Sequence, residues 1–122
     1  LPQTDKKFSF KGKKQKEIDR ILNDTKLLEN AGVFSIVLEC VETKLSKQIT
    51  KNIKIPTIGI GSSSNCDGQV LVIDDLIGMS DSKFKFVKKY VDLSRIINSA
   101  VKKYKNEVKN KQFPRAKHSF TN

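Results

Sequence analysis

The sequence has few of the residues from which disulfide frameworks and zinc sites are built. Among its 122 residues there are two Cys and one His, and Trp is absent. Cys40 and Cys66 belong to no C-x-x-C pattern, and neither lies near His118 in the sequence. Two isolated thiols make no disulfide framework, and this spacing does not provide a set of zinc ligands. We therefore expect reduced thiols and a cytoplasmic chain.

Long hydrophobic runs are also missing. No stretch approaches the roughly 20 apolar residues that cross a bilayer, so we expect no membrane association. Neither end carries an apolar segment with a cleavage signal, so nothing indicates export. Leu1 stands where an initiator Met would stand, and we expect the sequence to be the latter part of a longer one. The 37% of hydrophobic residues are clustered, which predicts one packed domain over residues 1–122.

Positive charge is abundant, but it is almost entirely Lys. The formal net charge is +11, and only three of the 24 cationic residues are Arg. A basic chain is one signature of a nucleic-acid-binding domain. However, Arg is the residue best suited to bidentate contacts, and no basic strand carries aromatic residues that would stack on bases. We expect no nucleic-acid partner and keep that class as an alternative.

The spacing of apolar residues predicts alternating helices and strands. The predicted segments are a loop over 5–16, a helix with apolar positions over 18–28 that closes at Ala31-Gly32, a strand over 33–41, a short helix around Leu45 and Ile49, a strand over 55–61, a loop over 62–68, a strand over 69–73, a helix over 94–108 and a tail over 111–122. Continuous apolar strands are typical of a parallel sheet that is covered on both faces. The predicted class is α/β, as either a small doubly wound sheet or the second half of a barrel.

In both of these folds, ligands bind at the carboxyl ends of the strands. Glu39, Gly61 and Asp74 all fall at such ends in the predicted order. Glu39 ends the apolar run SIVLEC (35–40), and burying an unpaired carboxylate is costly. The strand therefore either delivers Glu39 to solvent or gives its charge a role in a pocket, and the pattern leaves both open.

The loop TIGIGSSSNCDGQ (57–69) is the segment most suited to contacting a ligand. Its glycines at 59, 61 and 68 permit close approach or a positive φ. No Gly-Lys-Ser/Thr follows, so it is not a Walker A loop, and it does not fit the dinucleotide fingerprint. Tight packing between strands is the alternative for Gly59.

Other polar residues carry weaker signals. Asp74 and Asp75 follow the third predicted strand and could bind a metal, but neighbouring strand residues point to opposite faces. Capping the next helix is the favoured role for this pair. His118 lies in a polar tail, and Ser119 beside it has no Gly-x-Ser-x-Gly elbow, so a hydrolase triad is not supported.

Four separated motifs add a resemblance that covers essentially the whole chain. They are LENAGVFSIVLECV (28–41), IPTIGIGSSSNCDGQVLVIDDLIG (55–78), KFVKKYVDL (85–93) and FPRAKHSF (113–120). Their order and spacing resemble the ketopantoate hydroxymethyltransferase family, and the initial LPQ is similar to the end of its fifth barrel strand. The resemblance implies a (β/α)8 barrel of which this chain is the C-terminal half, with strands six to eight and their helices.

The resemblance also implies an activity. The family transfers a hydroxymethyl group from 5,10-methylenetetrahydrofolate to 3-methyl-2-oxobutanoate, giving ketopantoate on the route to pantothenate and coenzyme A. Glu39 matches the catalytic base, and a carboxylate in a partly dry pocket, whose pKa burial raises, suits that role. A bound Mg²⁺ would stabilise the enolate. Homo-oligomeric rings, decamers in this family, are implied as well.

Some family features are absent or changed. The metal-binding and substrate-binding residues belong to the N-terminal half, so no metal ligand is assigned to this chain and that half is an expected partner. The local departures are Phe8-Ser9-Phe10-Lys11-Gly12 for Tyr-Lys-Val-Gln-Gly, Glu42 for Pro, Ser62-Ser63 for Ala-Gly, Asp74 for His and Lys117 for Glu. Together they keep open an inactive remnant or interaction module of the same family.

Overall fold

The computed structural model describes residues 9–120, so the LPQ stretch, Phe8 and the last two residues of the tail lie outside the described residues. Its elements are α1 Gln15–Asn30, β1 Ile36–Glu39, α2 Thr43–Asn52, β2 Thr57–Ile60, β3 Gly68–Gln69, α3 Ile73–Leu76, α4 Leu93–Lys109 and a 3-10 turn Ala116–His118. They fall into two compact units. The first unit contains residues 9–71 and 84–87, and the second contains residues 72–83 and 88–120.

The first unit is built around a parallel sheet in the order β1-β2-β3. β1 and β2 pair from Ile36 with Thr57 to Glu39 with Ile60, and β3 pairs Gln69 with Gly59. Helices flank these short parallel strands, as in α/β proteins. The predicted α/β class is therefore confirmed.

The end of α1 lies where the sequence predicted it. Gly32 has a φ of +84°, a conformation that favours glycine. Its N–H donates to the Glu29 carbonyl at 3.0 Å, and the Val33 N–H donates to the Leu28 carbonyl at 3.4 Å. This pair of bonds is a Schellman motif, which satisfies carbonyls left over at the end of a helix.

The start of α2 depends on Glu42, the residue that stands where the resemblance led us to expect Pro. One carboxylate oxygen of Glu42 accepts hydrogen bonds from the backbone N–H groups of Lys44 at 2.8 Å and Leu45 at 3.0 Å. A side chain that accepts from the first turn stabilises the helix N-terminus. The departure from the family pattern therefore supplies a helix cap.

The core of the first unit lies on one face of the sheet. The buried members are Ile36, Leu38, Val41, Leu45, Ile49, Ile53 and Cys66, and partly buried residues of α1 pack against them. On the other face, Val37 is 60% exposed. The expectation of a sheet covered on both faces is wrong for the described residues. Right-handed crossovers between strands in sequential order place their helices on the same side, which accounts for the one-sided core.

The third strand is shorter than predicted. The sequence predicted a strand over 69–73, whereas β3 is Gly68–Gln69 and α3 begins at Ile73. One further bond, from the Val70 N–H to the Gly59 carbonyl at 3.0 Å, extends the ladder. Gly61 then has a φ of +61° and turns the chain out of β2, so residues after Val70 have no strand to pair with. Apolar composition alone does not distinguish a strand from a buried helix in so short a run.

In the second unit, Asp74 and Asp75 lie inside the first turn of α3 rather than at a strand end. The N-cap of α3 is Val72, so the capping role predicted for this pair is wrong. The Asp75 carboxylate instead accepts a hydrogen bond from the Ser80 hydroxyl. Because β3 ends at Gln69, Asp74 does not end a strand as the sequence predicted.

The remainder of the second unit is α4 and the tail that folds back onto it. The Asp92 side chain caps α4 by accepting from the Arg95 N–H at 3.1 Å. The Phe113 ring packs edge-on against the Tyr104 ring of α4, with 5.6 Å between the ring centroids. The centroid of the His118 ring lies 5.1 Å from that of Phe113. Across residues 9–120, no helix is long and apolar enough to span a membrane.

Candidate active site at the carboxyl edge of the sheet

Glu39 is the last residue of β1 and is exposed. Burial alternates along β1, so Glu39 and Val37 share the face that points away from α1 and α2. Ile60 lies beside Glu39 on β2, and Ile58 lies beside Val37, each partly buried. The carboxylate therefore stands at the tip of an otherwise apolar open face. The sequence left open whether β1 delivers Glu39 to solvent or places it in a pocket. Among the described residues its side chain is exposed, and the partly dry pocket expected for a base is not formed.

Cys40 terminates the strand immediately after Glu39. Its φ of +52° is uncommon for a residue that is not glycine, and such conformations are concentrated at functional sites. The Cys40 N–H donates to the Ile60 carbonyl at 2.9 Å, and the Cys40 carbonyl accepts from the Lys11 N–H at 2.7 Å. Burial, and then the charge of Glu39, raise the pKa of the Cys40 thiol. Cys40 and Cys66 are both free and buried.

Two glycines of the loop predicted to contact a ligand instead contact protein atoms. A Cβ on Gly61 would lie 2.8 Å from the Phe86 ring and 2.9 Å from the Cys40 sulfur. A Cβ on Gly59 would lie 2.9 Å from the Gln69 side chain. Gly61 therefore needs a residue without a side chain, whereas at Gly59 a Cβ would displace the end of the Gln69 side chain, which favours the packing alternative for Gly59.

Ser62 joins the loop after β2 to both sides of Glu39. Its hydroxyl donates to the Leu38 carbonyl at 2.6 Å and accepts from the Val41 N–H at 3.0 Å. The neighbouring Ser63 is buried, and its carbonyl accepts from the Gln69 side chain at 2.8 Å. The resemblance led us to expect Ala-Gly at these two positions, and Ser62 instead bonds the residues on either side of Glu39 and Cys40.

The polar segment before α1 extends the sheet beyond β1. Lys11 forms a parallel bridge with Val41, and its carbonyl accepts from the Glu42 N–H at 2.9 Å. Gly12 follows with a φ of +90°, where a Cβ would lie 2.7 Å from the Leu45 side chain. The sequence predicted only a loop here. The glycine that this segment shares with the family pattern was the one signal of an ordered turn.

The described residues contain no group of three or more His, Cys, Asp or Glu side chains that could hold a metal ion. The alternative metal-binding role for Asp74 and Asp75 therefore gains no further ligands among residues 9–120. Glu39 belongs to the first unit, whereas the aspartates and His118 belong to the second. The Mg²⁺ that the resemblance implies does not fit a ligand set on the described part of this chain.

Comparisons with known proteins point to one family. A family model described as ketopantoate hydroxymethyltransferase matches residues 1–116. The chain is 58% identical over 120 residues to the 3-methyl-2-oxobutanoate hydroxymethyltransferase of Pelagibacter ubique, covering 98% of this chain and 47% of that protein. It is 53% identical over 115 residues to the protein of the same name from Carboxydothermus hydrogenoformans, covering 93% and 42%.

These relatives are about twice as long as the region they share with this chain. The chain therefore spans less than half the length of the curated relatives it matches. Within that span the family model covers the first described unit, including the carboxyl edge that carries Glu39, and the second unit as far as Ala116. The chain belongs to the ketopantoate hydroxymethyltransferase family.

Proposed function

We propose that this chain is the C-terminal half of a (β/α)8 barrel that converts 3-methyl-2-oxobutanoate into ketopantoate, with Glu39 as the catalytic base. The single observation that carries the proposal is the position of Glu39 at the carboxyl tip of β1, on the face opposite the helices. In a barrel with helices outside, that face points inward and its carboxyl end borders the active site.

The topology of the first unit supports a barrel over the doubly wound alternative. The strand order β1-β2-β3 has no reversal, and a doubly wound sheet requires one. The exposed apolar face around Val37 is what a partial barrel would present, because its opposite wall comes from other strands. The three strands would then be strands six to eight, and the open edges would be closed by the N-terminal half.

The chemistry assigned to Glu39 is one proton transfer. Its carboxylate takes the proton from the carbon next to the ketone, which leaves an enolate. Water hydrolyses the methylene bridge of 5,10-methylenetetrahydrofolate, which breaks both of its carbon–nitrogen bonds and releases tetrahydrofolate and formaldehyde. The enolate carbon forms a bond to the formaldehyde carbon, and the resulting alkoxide takes a proton from water, while Glu39 loses its proton to water and is regenerated. The apolar neighbours Val37 and Ile60 would exclude water around the carboxylate once the barrel is closed.

Other features of the proposal rest on the family alone. Mg²⁺, ring assembly and the residues that bind the keto acid are assigned to the N-terminal half or to the whole protein, and no step is assigned to a metal on this chain. The cytoplasmic location remains a proposal that the two free thiols favour.

The test uses a joined protein, in which the part of the Pelagibacter ubique relative outside the matched region precedes this chain. We expect the joined protein to form ketopantoate in a folate-dependent assay. Glu39→Gln should lower kcat by about a hundredfold, as is usual when a general base is lost. Asp24→Asn is the matched control, because Asp24 is an exposed carboxylate on α1.

The alternative of an inactive remnant makes the opposite prediction. Glu42 and Ser62 depart from the family pattern, yet each makes two hydrogen bonds, which is not what decay of the site would produce. An inactive joined protein with a folded spectrum would favour the remnant. Full activity in the Glu39→Gln variant would refute the assignment of the base.

A further inference from the structure

A pocket that includes Lys11 is lined mainly by cations. It has a volume of about 600 Å³, and its lining residues are Ser9, Phe10, Lys11, Lys13, Lys14, Lys16, Glu17 and Arg20. We call it the basic pocket. Its lining contains five cations and a single carboxylate. Such an excess of one charge in a concave surface raises the local concentration of anions.

The one carboxylate in the basic pocket is already occupied by backbone donors. An oxygen of Glu17 accepts hydrogen bonds from the Gly12 N–H at 2.9 Å and the Lys13 N–H at 3.3 Å. These bonds hold the pKa of the Glu17 carboxyl below its ordinary value of 4.5. Glu17 thus shapes the loop, while the surrounding ammonium and guanidinium groups exceed it in number.

Lys11 links the basic pocket to the carboxyl edge of the sheet. Lys11 pairs with Val41, two residues beyond Glu39, at the carboxyl edge of the sheet. Lys16 and Arg20 are one helical turn apart on α1 and share a face. The cations are therefore arranged along a path rather than at one point.

The pocket also offers an aromatic surface. The Phe10 ring is 48% exposed, and the Lys13 ammonium lies 4.4 Å from its centroid. An aromatic ring next to a row of cations suits a ligand that joins an aryl group to several carboxylates. Among the reactants of the proposed function, only the folate has this chemistry, through its aminobenzoyl group and its glutamate tail.

We propose that the basic pocket binds the glutamate tail of the folate cosubstrate and favours folates with several γ-linked glutamates. This inference rests on the proposed function, since the family supplies the folate. The tail lies along Lys11, Lys16 and Arg20 while the one-carbon unit approaches Glu39. Each added glutamate brings one more carboxylate to the path of cations.

The test measures binding to the joined protein by equilibrium dialysis, with tetrahydrofolate monoglutamate and tetrahydrofolate pentaglutamate as probes. The pentaglutamate should bind more tightly. The double variant Lys16→Gln/Arg20→Gln should weaken pentaglutamate binding about fivefold, consistent with the loss of two exposed ion pairs, and should change monoglutamate binding less. The matched control is Lys47→Gln/Lys51→Gln, which removes two exposed cations at the same helical spacing on α2.

Three outcomes would overturn the inference: equal affinity for the two folates, equal weakening by both double variants, or a pocket that selects a short RNA over the pentaglutamate. In the joined protein, equal KM values for the two folates with normal kcat would overturn the role of the basic pocket but not the proposed function. Selective pentaglutamate binding without any hydroxymethyl transfer would instead overturn the proposed function.

Discussion

Gly61 offers a direct test of how tightly the carboxyl edge is packed around Glu39. Two separate features favour glycine at this position: the φ of +61° and the close approach of Phe86 and Cys40. The variant Gly61→Ala is unfavourable for both reasons. A left-handed conformation costs Ala about 1–2 kcal/mol, and overpacking adds about 1–3 kcal/mol, so the free energy of unfolding should fall by about 2–5 kcal/mol.

Gly32 provides the control that separates these two contributions. Its φ is +84°, but a Cβ there would have nothing within 4 Å. Gly32→Ala should therefore carry only the conformational cost of about 1–2 kcal/mol. The difference between the two variants measures the packing of Gly61 against the sulfur and the ring.

The assay is urea unfolding of both variants in the joined protein, followed by circular dichroism, together with kcat. Gly61→Ala should have the larger loss of stability, and its kcat should also fall because the Cys40 sulfur must move beside Glu39. Equal losses of stability in the two variants would refute the close packing inferred for the edge. An unchanged kcat in Gly61→Ala would refute its link to Glu39.

Three further predictions concern the cap, the bridge and the chain alone. Hydrogen bonds from the backbone N–H groups of Lys44 and Leu45 lower the pKa of Glu42, so the cap stabilises α2 above pH 4.5 and is lost as the pH falls through the lower folded pKa. In thermal unfolding measured from pH 7 to pH 3, Glu42→Gln should therefore reduce the fall in Tm at low pH. A fall as steep as that of the unmodified protein would contradict this prediction. Ser62→Ala should cost about 1–3 kcal/mol in urea unfolding by leaving the Val41 N–H without its partner, whereas an unaltered midpoint would mean that another group replaces the hydroxyl. The isolated chain should be inactive, and light scattering at moderate salt should show that it self-associates through its open sheet edges and exposed apolar face. A compact monomer with a cooperative thermal transition would argue against a partial barrel.

Local patterns in the sequence determined much of the fold. Helical spacing located α1, α2 and α4, and the apolar runs located β1 and β2, because side-chain periodicity directly reflects backbone geometry. Gly32 marked the end of α1, since a helix terminus often needs a left-handed residue. Glu39 was proposed as the base from its place in a motif and from its residue type.

Tertiary structure decided what depends on partners that are distant in the sequence. The third strand ends at Gln69 because Gly61 turns its neighbouring strand away, which the run QVLVI does not reveal. Lys11 joined the sheet at Val41 because its hydrogen-bonding partners, Cys40 and Glu42, are brought beside it only in the folded chain. The open face around Glu39 is likewise a surface to which two strands contribute. Such a surface forms only when segments that are apart in the sequence pack together, so composition and periodicity do not specify it.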